Sequence, residues 1–592
     1  METKKYSKMA WLWENMKGYR LIYLVGILGT IVYNAMQLTV PYITQKIIDT
    51  FITDENAAEN MKTQTEFFFQ LIIAMIVLTF VRTLIVYLVC MDVEHVSQKV
   101  LYRVRTHLFD KIERQDMSFY NTYRTGDLMT RVTGDLDAVR HMIAWVIRCI
   151  VESFALLAAT LAYFIYMDWR LAVAIMAIAP FILIIIVLFR NKVAPRHKEL
   201  REKLSHLNTA AQENISGNRV VKAFAREDYE IKKFDECSVD FSKTNKKTAL
   251  TWVTYFPYIE TFANLMSIAL LVVGGLFIIN GSLTMGEYVA FSGLIWAVQN
   301  PMRNLGNIMN EFQRFAAASD KVMEIYYSEP QIVDKEDAID LPERFKGKVE
   351  FKNVSFKYED GNLPVLHNVS FVANPGETVA IMGETGCGKT SMIQLIPRFY
   401  EPTEGEVLVD GINVNDMKLT QLRKNIGLAT QDVLLYSDTI DGNIAYGDSS
   451  LTPQEVEKYA KYSAAAKFIN KMPEGYDTIV GERGVGLSGG QKQRISLARA
   501  LAVKPAILIL DDTTSAVDME TESQIQQALD NLEKKETVFF IAHRISSIKD
   551  ADVILVLDEG RIIGSGAHDV LMETCPEYRE ISDSQMGGAI ID

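Results

Sequence analysis

A glycine-rich stretch, GETGCGKT at positions 383–390, has the residue types and spacing of a loop that binds phosphate groups. It fits the pattern G-x-x-x-x-G-K-[ST], in which backbone N–H groups surround phosphates, the lysine reaches the β- and γ-phosphates, and the hydroxyl binds Mg²⁺. This phosphate loop follows the apolar run Thr378–Met382 and precedes a helix-like run. The candidate nucleotide-binding residues are Gly383, Glu384, Thr385, Gly386, Cys387, Gly388, Lys389, Thr390 and Ser391. The alternative is a glycine-rich turn that binds nothing. Such a turn would need no second segment to complete a nucleotide site.

A second half is indicated at residues 506–512, where a short apolar run ends in two acids. Such a run predicts a buried parallel strand whose carboxylate emerges at the edge where α/β sheets bind ligands. We therefore predict that Asp511 contacts Mg²⁺ through water, together with Thr390. The two stretches favour a site for ATP or GTP over a turn without a ligand.

A third feature is the sequence Leu487, Ser488, Gly489, Gly490 and Gln491, here called the signature turn, which opens a helical run at Lys492–Leu501. The N-terminus of a helix carries a positive partial charge and binds anions. One nucleotide does not need two such helix ends from a single chain. We therefore expect two chains to face each other head to tail, each covering the other's phosphate loop.

In this order the motifs resemble the ABC ATPase family over residues 345–585. The resemblance implies that the nucleotide is ATP with Mg²⁺, that Tyr358 stacks on adenine, and that Gln431 contacts Mg²⁺ and the membrane domain. It also implies an exporter X-loop at Thr478–Glu482. The remaining family positions are the D-loop Ser515–Asp518, with Asp518, and the switch histidine His543.

One position departs from the family pattern. The residue after the Walker B aspartate is usually a glutamate that orients the attacking water, and here it is Asp512. An aspartate reaches about 1 to 1.5 Å less far, and an error of that size costs on the order of 10²-fold in rate. With Gln431 and His543, Asp512 completes the candidate catalytic set. The hypothesis is a heterodimeric exporter in which this chain supplies the slow site, and the alternative is a homodimer.

The composition divides the chain of 592 residues into an apolar part before residue 325 and a charged, glycine-punctuated part after it. A formal net charge of −13 argues against a nucleic-acid binder, which would show a basic face. The five scattered cysteines favour reduced thiols over a disulfide framework. We predict a transmembrane domain at 1–326, a linker at 327–345, a nucleotide-binding domain at 346–585 and a tail at 586–592, with disorder after Ile581.

The predicted fold is an α-helical transmembrane domain with six spans, followed by an α/β P-loop ATPase domain with an antiparallel β subdomain. A bilayer core needs about 20 apolar residues per helix. Residues 5–20 resemble the elbow helix of ABC exporters. The proposed spans are Leu21–Ile52, Phe67–Cys90, Trp145–Met167, Leu171–Phe189, Leu250–Ile279 and Tyr288–Val298. The last is short and is accepted partly because the family has six.

Loop charge predicts orientation in the cell membrane. Residues 99–131 and 190–247 are rich in Lys and Arg, whereas residues 54–66 are acidic. By the positive-inside rule the basic connections, the N-terminus and the ATPase domain are cytoplasmic. Both connections are helical in pattern, so the spans should run past the membrane. Their tips, residues 119–135 and 214–234, resemble the two coupling regions of the exporters, with the family's acid replaced by Asn121 and with Phe224 and Tyr229 as anchors.

Charged residues inside the proposed spans are candidates for substrate contact, namely Arg82, Arg148, Glu152 and Glu260. Arg148 and Glu152 are four residues apart on one helix and can pair. Packing and snorkelling explain such charges as well as ligand binding does. The sequence does not identify the cargo, which the resemblance limits to amphipathic small molecules, lipids or peptides. The other functions left open are a homodimeric exporter of a dedicated cargo and an ATP-gated channel or regulator.

Overall fold

The computed structural model describes residues 7–587 except 343, 360, 362, 482–483, 514–518, 531–534 and 543. These residues form two compact units. The helical unit contains the residues up to Glu113 and Gly126–Ser328. The sheet unit contains Arg114–Thr125 and the residues from Glu329 onward.

Long α-helices build the helical unit. In chain order the helices up to residue 326 are α1 (Lys8–Asn15), α2 (Arg20–Met36), α3 (Thr39–Phe51), α4 (Ala57–Thr63), α5 (Thr65–Glu113), α6 (Met117–Thr122), α7 (Thr125–Thr130), α8 (Leu136–His141), α9 (Ile147–Met176), α10 (Ala179–Ser216), α11 (Asn218–Ala223), α12 (Glu227–Ala269), α13 (Gly275–Ile279) and α14 (Met285–Tyr326). Helix α6 belongs to the sheet unit. Turns of π-helix at Arg131–Asp135, Met142–Val146 and Leu270–Gly274 join α7, α8 and α9, and α12 and α13, into continuous helical stretches.

Four helical stretches within the described residues are long and apolar enough to cross a membrane: Arg20–Phe51, Thr65–Glu113, Thr125–Met176 and Glu227–Ile279. They contain the second, third and fifth proposed spans, and the first except for Ile52. The fourth proposed span falls at the end of α9 and in α10, the sixth falls in α14, and the count of six stays a prediction. Helix α5 has 49 residues. At 1.5 Å per residue it is about 74 Å long, well beyond the ~30 Å hydrocarbon core, as the sequence predicted.

Two breaks interrupt the apolar stretches. The first proposed span is not a single helix, because α2 ends at Met36 and α3 begins at Thr39, with Pro41 in the first turn of α3. A proline is tolerated there because the N–H that it lacks has no helical partner. The second break, between the third and fourth proposed spans, lies at Asp168, where the backbone is extended (φ −150°, ψ 107°). Its carboxylate accepts from the Arg170 N–H at 2.8 Å and so starts the following helical segment.

The core of the helical unit lies where α9, α10, α12 and α14 meet. Phe164 and Phe291 are fully buried, and their ring centroids are 4.4 Å apart. Leu171, Met266 and Leu294 pack in the same cluster. Burial of these apolar side chains stabilises the contact between helices that are far apart in the sequence.

The sheet unit contains two β-sheets within the described residues. Its strands are β1 (Val349–Phe356), β2 (Leu366–Ala373), β3 (Thr378–Gly383), β4 (Glu404–Val409), β5 (Ile412–Asn413), β6 (Ile426–Ala429), β7 (Ile507–Asp511), β8 (Thr537–Ile541), β9 (Val553–Asp558) and β10 (Arg561–Gly566). One sheet has the order β2-β1-β4-β5 and is antiparallel. The other has the order β10-β9-β3-β8-β7-β6 and is parallel except for β10. The predicted fold class, helices followed by an α/β ATPase domain with an antiparallel subdomain, is confirmed.

The remaining helices of the sheet unit follow β3 in the chain. They are α15 (Lys389–Leu395), α16 (Leu419–Lys424), α17 (Ile440–Ile444), α18 (Pro453–Tyr462), α19 (Ala466–Ile469), α20 (Gly489–Ala502), α21 (Met519–Asp530), α22 (Ile545–Ile548), α23 (His568–Thr574) and α24 (Pro576–Gly587). The prediction of disorder after Ile581 is wrong as far as Gly587, because α24 continues to that residue. Tyr578 and Ser582 of α24 are buried and anchor it.

Candidate functional site

The phosphate loop leaves the middle of the six-stranded sheet. Strand β3 pairs in parallel with β8 and β9 and ends at Gly383, so the loop emerges at the carboxyl edge of the sheet. Gly383 has φ +152°, and a Cβ there would lie 2.1 Å from the Leu557 carbonyl oxygen. Gly388 has φ +103° and would bring a Cβ to 2.8 Å from Leu366. Glycine is therefore required at both ends of the loop.

Lys389 is buried at the start of α15 and is held by the loop itself. Its ammonium donates to the carbonyl oxygens of Gly383 at 2.8 Å and Glu384 at 2.7 Å. The Cys387 sulfur lies 3.8 Å from the same nitrogen. Burial raises the pKa of the Cys387 thiol, against the opposing effect of the Lys389 ammonium. The thiol is therefore largely protonated at neutral pH.

The two residues predicted to bind Mg²⁺ lie together. Thr390 is the second residue of α15, Asp511 ends β7, and the Thr390 Oγ1 donates to the Asp511 Oδ1 at 3.4 Å. Asp511 is buried, whereas Glu384, Thr385, Gly386 and Thr390 are exposed. A Cβ on Gly386 would meet no atom within 4 Å, so the loop opens onto free space. A hydroxyl and a carboxylate beside such a loop fit Mg²⁺, which takes few protein ligands and completes its shell with phosphate oxygens and water.

Asp512 lies directly after this pair, with its backbone in the left-handed region at φ +50°. Gln431 Nε2 donates to Asp512 Oδ2 at 3.3 Å, so two members of the predicted catalytic set are in contact. Gln493 of α20 donates to the Asp512 carbonyl oxygen at 3.3 Å. Gln493 was not predicted as a site residue, because it lies inside a regular helix. The geometry ties the acid both to the Gln431 loop and to the helix of the signature turn.

Tyr358 forms a wall beside α15. Its hydroxyl shares a hydrogen bond of 2.8 Å with the hydroxyl of the buried Ser391. Its ring lies edge-on to Phe356 at 4.7 Å and to Tyr400 at 5.1 Å between centroids. The Tyr400 hydroxyl in turn accepts from Asn121 Nδ2 at 2.9 Å, within the sheet unit. Tyr400 was not predicted, although Asn121 had been singled out in the first coupling region.

The signature turn is organised by its own residues. The Ser488 hydroxyl accepts from the Gln491 N–H at 3.3 Å, and the Gln491 Oε1 accepts from the Ser488 N–H at 2.8 Å, which is a capping box. Gly489 begins α20, a helix of 14 residues. Leu487 packs against the core, and the Gly490 carbonyl accepts from Arg494 Nε at 3.2 Å. Ser488 and Gly489 are exposed at the helix N-terminus, where an anion is stabilised.

Several predicted positions lie outside the described residues: Glu482 of the X-loop, the D-loop with Asp518, and His543. The rest of the X-loop is described. Ile479 pairs with Thr439, and the Val480 N–H donates to the Asp438 carbonyl oxygen at 2.9 Å. Ile479 is exposed.

The charged residues of the proposed spans are partly paired. Arg148 and Glu152 form the predicted i,i+4 contact, at 3.3 Å. Glu260 accepts from Arg303 of α14 at 2.8 Å, a partner that the sequence did not indicate because it lies on another helix. Arg82 is half-buried in α5. These contacts pair Arg148, Glu152 and Glu260 with charged neighbours, and contact with substrate stays a prediction.

Comparisons with known proteins cover both regions of the chain. A family model described as the ABC transporter transmembrane region matches residues 23–302, and one described as ABC transporter matches residues 366–515. The uncharacterized ABC transporter ATP-binding protein YknU of Bacillus subtilis (strain 168) is 38% identical over 99% of this chain and 98% of its own length. The ATP-dependent lipid A-core flippase of Syntrophus aciditrophicus (strain SB) is 34% identical over 95% and 92% of the two chains.

Two further comparisons cover nearly the whole chain. The putative multidrug export ATP-binding/permease protein YgaD of Bacillus subtilis (strain 168) is 35% identical over 96% of this chain and 97% of its own length. The solved structure of a bacterial Atm1-family ABC exporter with ATP bound superposes with a TM-score of 0.80 at 27% identity. It covers 97% of this chain and 100% of that one.

Proposed function

This chain belongs to the ABC transporter family, as a multi-pass membrane protein whose ATPase is coupled to transport, and we propose that it exports amphipathic molecules as half of a heterodimer. In this proposal the chain supplies a slow Walker site of its own and an intact signature turn for its partner's site. The proposed substrates are lipids, peptides or amphipathic small molecules. The ATPase domain faces the cytoplasm of the cell.

The single observation that carries the slow site is Asp512. It occupies the position next to the Thr390–Asp511 pair, where the family pattern has the longer glutamate. Its carboxylate contacts Gln431, and its side chain is one methylene shorter than that of glutamate. A base that is about 1 to 1.5 Å short costs on the order of 10²-fold in rate.

The chain's own residues divide the work at this site. The phosphate loop would bind the β- and γ-phosphates through its N–H groups and Lys389, and Tyr358 would support adenine. Thr390 and Asp511 would hold Mg²⁺, which neutralises phosphate charge when it is bound. Asp512 and Gln431 would orient the attacking water.

The exposed signature turn and two exposed aromatic side chains support the proposal that a second chain binds to this one. The Ser488 end of α20 is exposed, and it lies in the same chain as a complete phosphate loop. In the second coupling region Phe224 is 74% exposed and Tyr229 is 54% exposed. A partner's ATPase domain would cover these aromatic side chains, because apolar surface that is removed from water stabilises association. ATP-driven closure of the two ATPase domains would then move the membrane helices as rigid bodies.

A homodimer is the second candidate. The observation that favours it is that one chain carries both halves of a site, the Thr390–Asp511 pair and the capped signature turn. Two identical chains could therefore form two identical sites. The two candidates differ in one measurable property, the ATPase activity of this chain purified alone.

The test first measures ATP hydrolysis by the wild-type chain purified alone, which we expect to be slow. In the complete two-chain transporter we then expect an increase of about 10- to 100-fold for Asp512→Glu and no increase for Asp512→Asn. Brisk hydrolysis by the wild-type chain alone, with no gain for Asp512→Glu, would contradict the slow site and favour the homodimer. Transport into vesicles with and without vanadate separates a pump from an ATP-gated channel.

A further inference from the structure

A cavity of about 310 Å³ lies between helix α21 and one face of the six-stranded sheet. Its floor is formed by Leu510 of β7 and by Val538 and Phe540 of β8, which belong to the buried core of that face. One wall is α21, which contributes Ser523 and Ile525 among others. Small-molecule sites begin at about 300 Å³ and combine an apolar lining with a few polar groups. The cavity has this size and this lining, and it is separate from the phosphate loop.

A polar group in the lining is left without a partner. Thr513 is 3% exposed, and its hydroxyl has no hydrogen-bond partner within the described part of the chain. A buried hydroxyl without a partner costs free energy, and such groups are rare in native proteins. The neighbouring Glu522 is also buried, and its Oε1 accepts from the Ser547 hydroxyl at 2.5 Å. Thr513 therefore points to a ligand that brings a hydrogen-bonding group.

The charges around the cavity favour a cation. Three carboxylates line it, those of Glu522, Glu536 and Asp550, against one ammonium, that of Lys535. The Lys535 ammonium is already 4.0 Å from the carboxylate of Asp552. Burial raises the pKa of Glu536, which means that its charged form lacks stabilisation, although Arg344 opposes this. A positively charged group would supply that stabilisation.

The cavity borders the chain segment that carries the two acids Asp511 and Asp512. Leu510 and Thr513 both line it, and they directly precede and follow Asp511 and Asp512. Because successive residues of a strand point to opposite faces, Leu510 faces the cavity while Asp511 faces the phosphate loop. An occupant would therefore press on the backbone that positions both acids.

We propose that this cavity is a regulatory site for an amphipathic cation, with an apolar body on the sheet face and a protonated amine among the carboxylates. Its occupancy changes the rate of ATP hydrolysis by altering the segment that holds Asp511 and Asp512. The proposal rests on the ATPase activity of the chain and is independent of the choice between heterodimer and homodimer.

The test uses three probes with the same apolar body: 4-phenylbutylamine, 4-phenylbutan-1-ol and 4-phenylbutyrate. Their dissociation constants for the purified full-length chain are measured by ligand-observed NMR, and ATP hydrolysis is measured in parallel. We expect the amine to bind at least about tenfold more tightly than the other two, because a charge-assisted hydrogen bond is stronger than a neutral one. We expect the bound amine to change the hydrolysis rate at least twofold. Equal binding of all three probes would overturn the proposal.

Variants locate the bound probe. Glu522→Gln and Asp550→Asn should each weaken binding of the amine about tenfold and leave binding of the alcohol unchanged. Asp550 is exposed, so that variant does not depend on refolding of the core. Ser523→Trp, at an exposed lining position, should block all three probes. The matched control is Gln524→Trp, which is exposed on the same helix but lies outside the lining and should have no effect.

Two further results would overturn the proposal. Loss of amine binding in Glu260→Gln, with unchanged binding in Glu522→Gln and Asp550→Asn, would place the amine among the membrane helices. Amine binding that follows the cavity variants without any change in ATP hydrolysis would remove the regulatory role. Neither result depends on transport, so failure here is distinguishable from failure of the proposed export function.

Discussion

The phosphate loop and the signature turn lie in the same unit but are held in different ways. The loop is fixed by the sheet: Gly383 fits tightly against the Leu557 carbonyl of β9, and Lys389 is buried. The signature turn is fixed by four consecutive residues, through the reciprocal bonds between Ser488 and Gln491. One is part of the fold, and the other is an exposed helix end that is ordered locally.

Because of this difference, we expect substitutions in the phosphate loop and in the signature turn to have different consequences. A substitution in the phosphate loop disturbs the strands around it as well as the nucleotide. A substitution at Ser488 that keeps the helix cap leaves the fold intact and changes what the turn offers to a second chain. The experiments below test this contrast in order of decreasing effect.

The largest effect is expected for Gly383→Ala. The new Cβ would lie 2.1 Å from the Leu557 carbonyl oxygen, so the backbone must move, and φ is +152°. We expect a loss of more than about 3 kcal/mol in the free energy of unfolding and loss of ATP binding. The control is Gly386→Ala. Gly386 also has a positive φ, +89°, but a Cβ there would meet no atom within 4 Å. We expect this control to lose about 1–2 kcal/mol in the free energy of unfolding. Thermal unfolding and ATP titration measure both, and equal effects would contradict the tight fit.

The second largest effect is expected for Ser488→Asp, which should lower ATP hydrolysis without destabilising the fold. Ser488→Asp keeps a good N-cap for α20, so the free energy of unfolding should change by less than about 0.5 kcal/mol. The added carboxylate would repel phosphate, and hydrolysis by the complete transporter should fall on the order of 100-fold. Ser488→Ala removes the cap and should cost about 1 kcal/mol. Weaker ATP binding by the single chain carrying Ser488→Asp would mean that the turn belongs to the chain's own site.

The smallest effect is on the chemistry of Cys387. The thiolate is the form that reacts with N-ethylmaleimide, and burial raises the pKa of this thiol. The thiol therefore stays protonated at pH 7, and its rate of modification should rise about tenfold per unit between pH 7 and 9. ATP should slow the reaction. Cys575 is the control, because burial raises its pKa as well but it belongs to a different buried cluster from Cys387. Peptide mass spectrometry measures both, and equal protection by ATP would contradict a loop site.

Local patterns predicted much of the fold and of the candidate site. The strand before Gly383, the acid at the end of β7 and the helix after the signature turn were predicted because each is specified by residues within about ten positions. The antiparallel β subdomain was predicted as part of the fold class, and β1 and β2 form an antiparallel pair in it. These features depend on spacing, which a sequence displays directly.

Contacts between distant segments were not predictable in the same way. Asn121 and Tyr400 are 279 positions apart, and Glu260 and Arg303 lie on different helices. The break between α2 and α3 was missed because the apolar run is continuous across it. The cavity under α21 depends on how closely a helix packs on a sheet, which periodicity does not specify.

The tyrosine pair described above has a mechanical consequence. Asn121, Tyr400, Tyr358 and Ser391 touch in succession, through two hydrogen bonds and one edge-on ring contact. Closely packed rings resist compression, so a displacement at one end of this row of four side chains is transmitted to the other end. Tilting of the segment that carries Asn121 must therefore shift the aromatic wall on which we propose that adenine rests. Nucleotide occupancy and the angle of that segment are expected to vary together rather than independently.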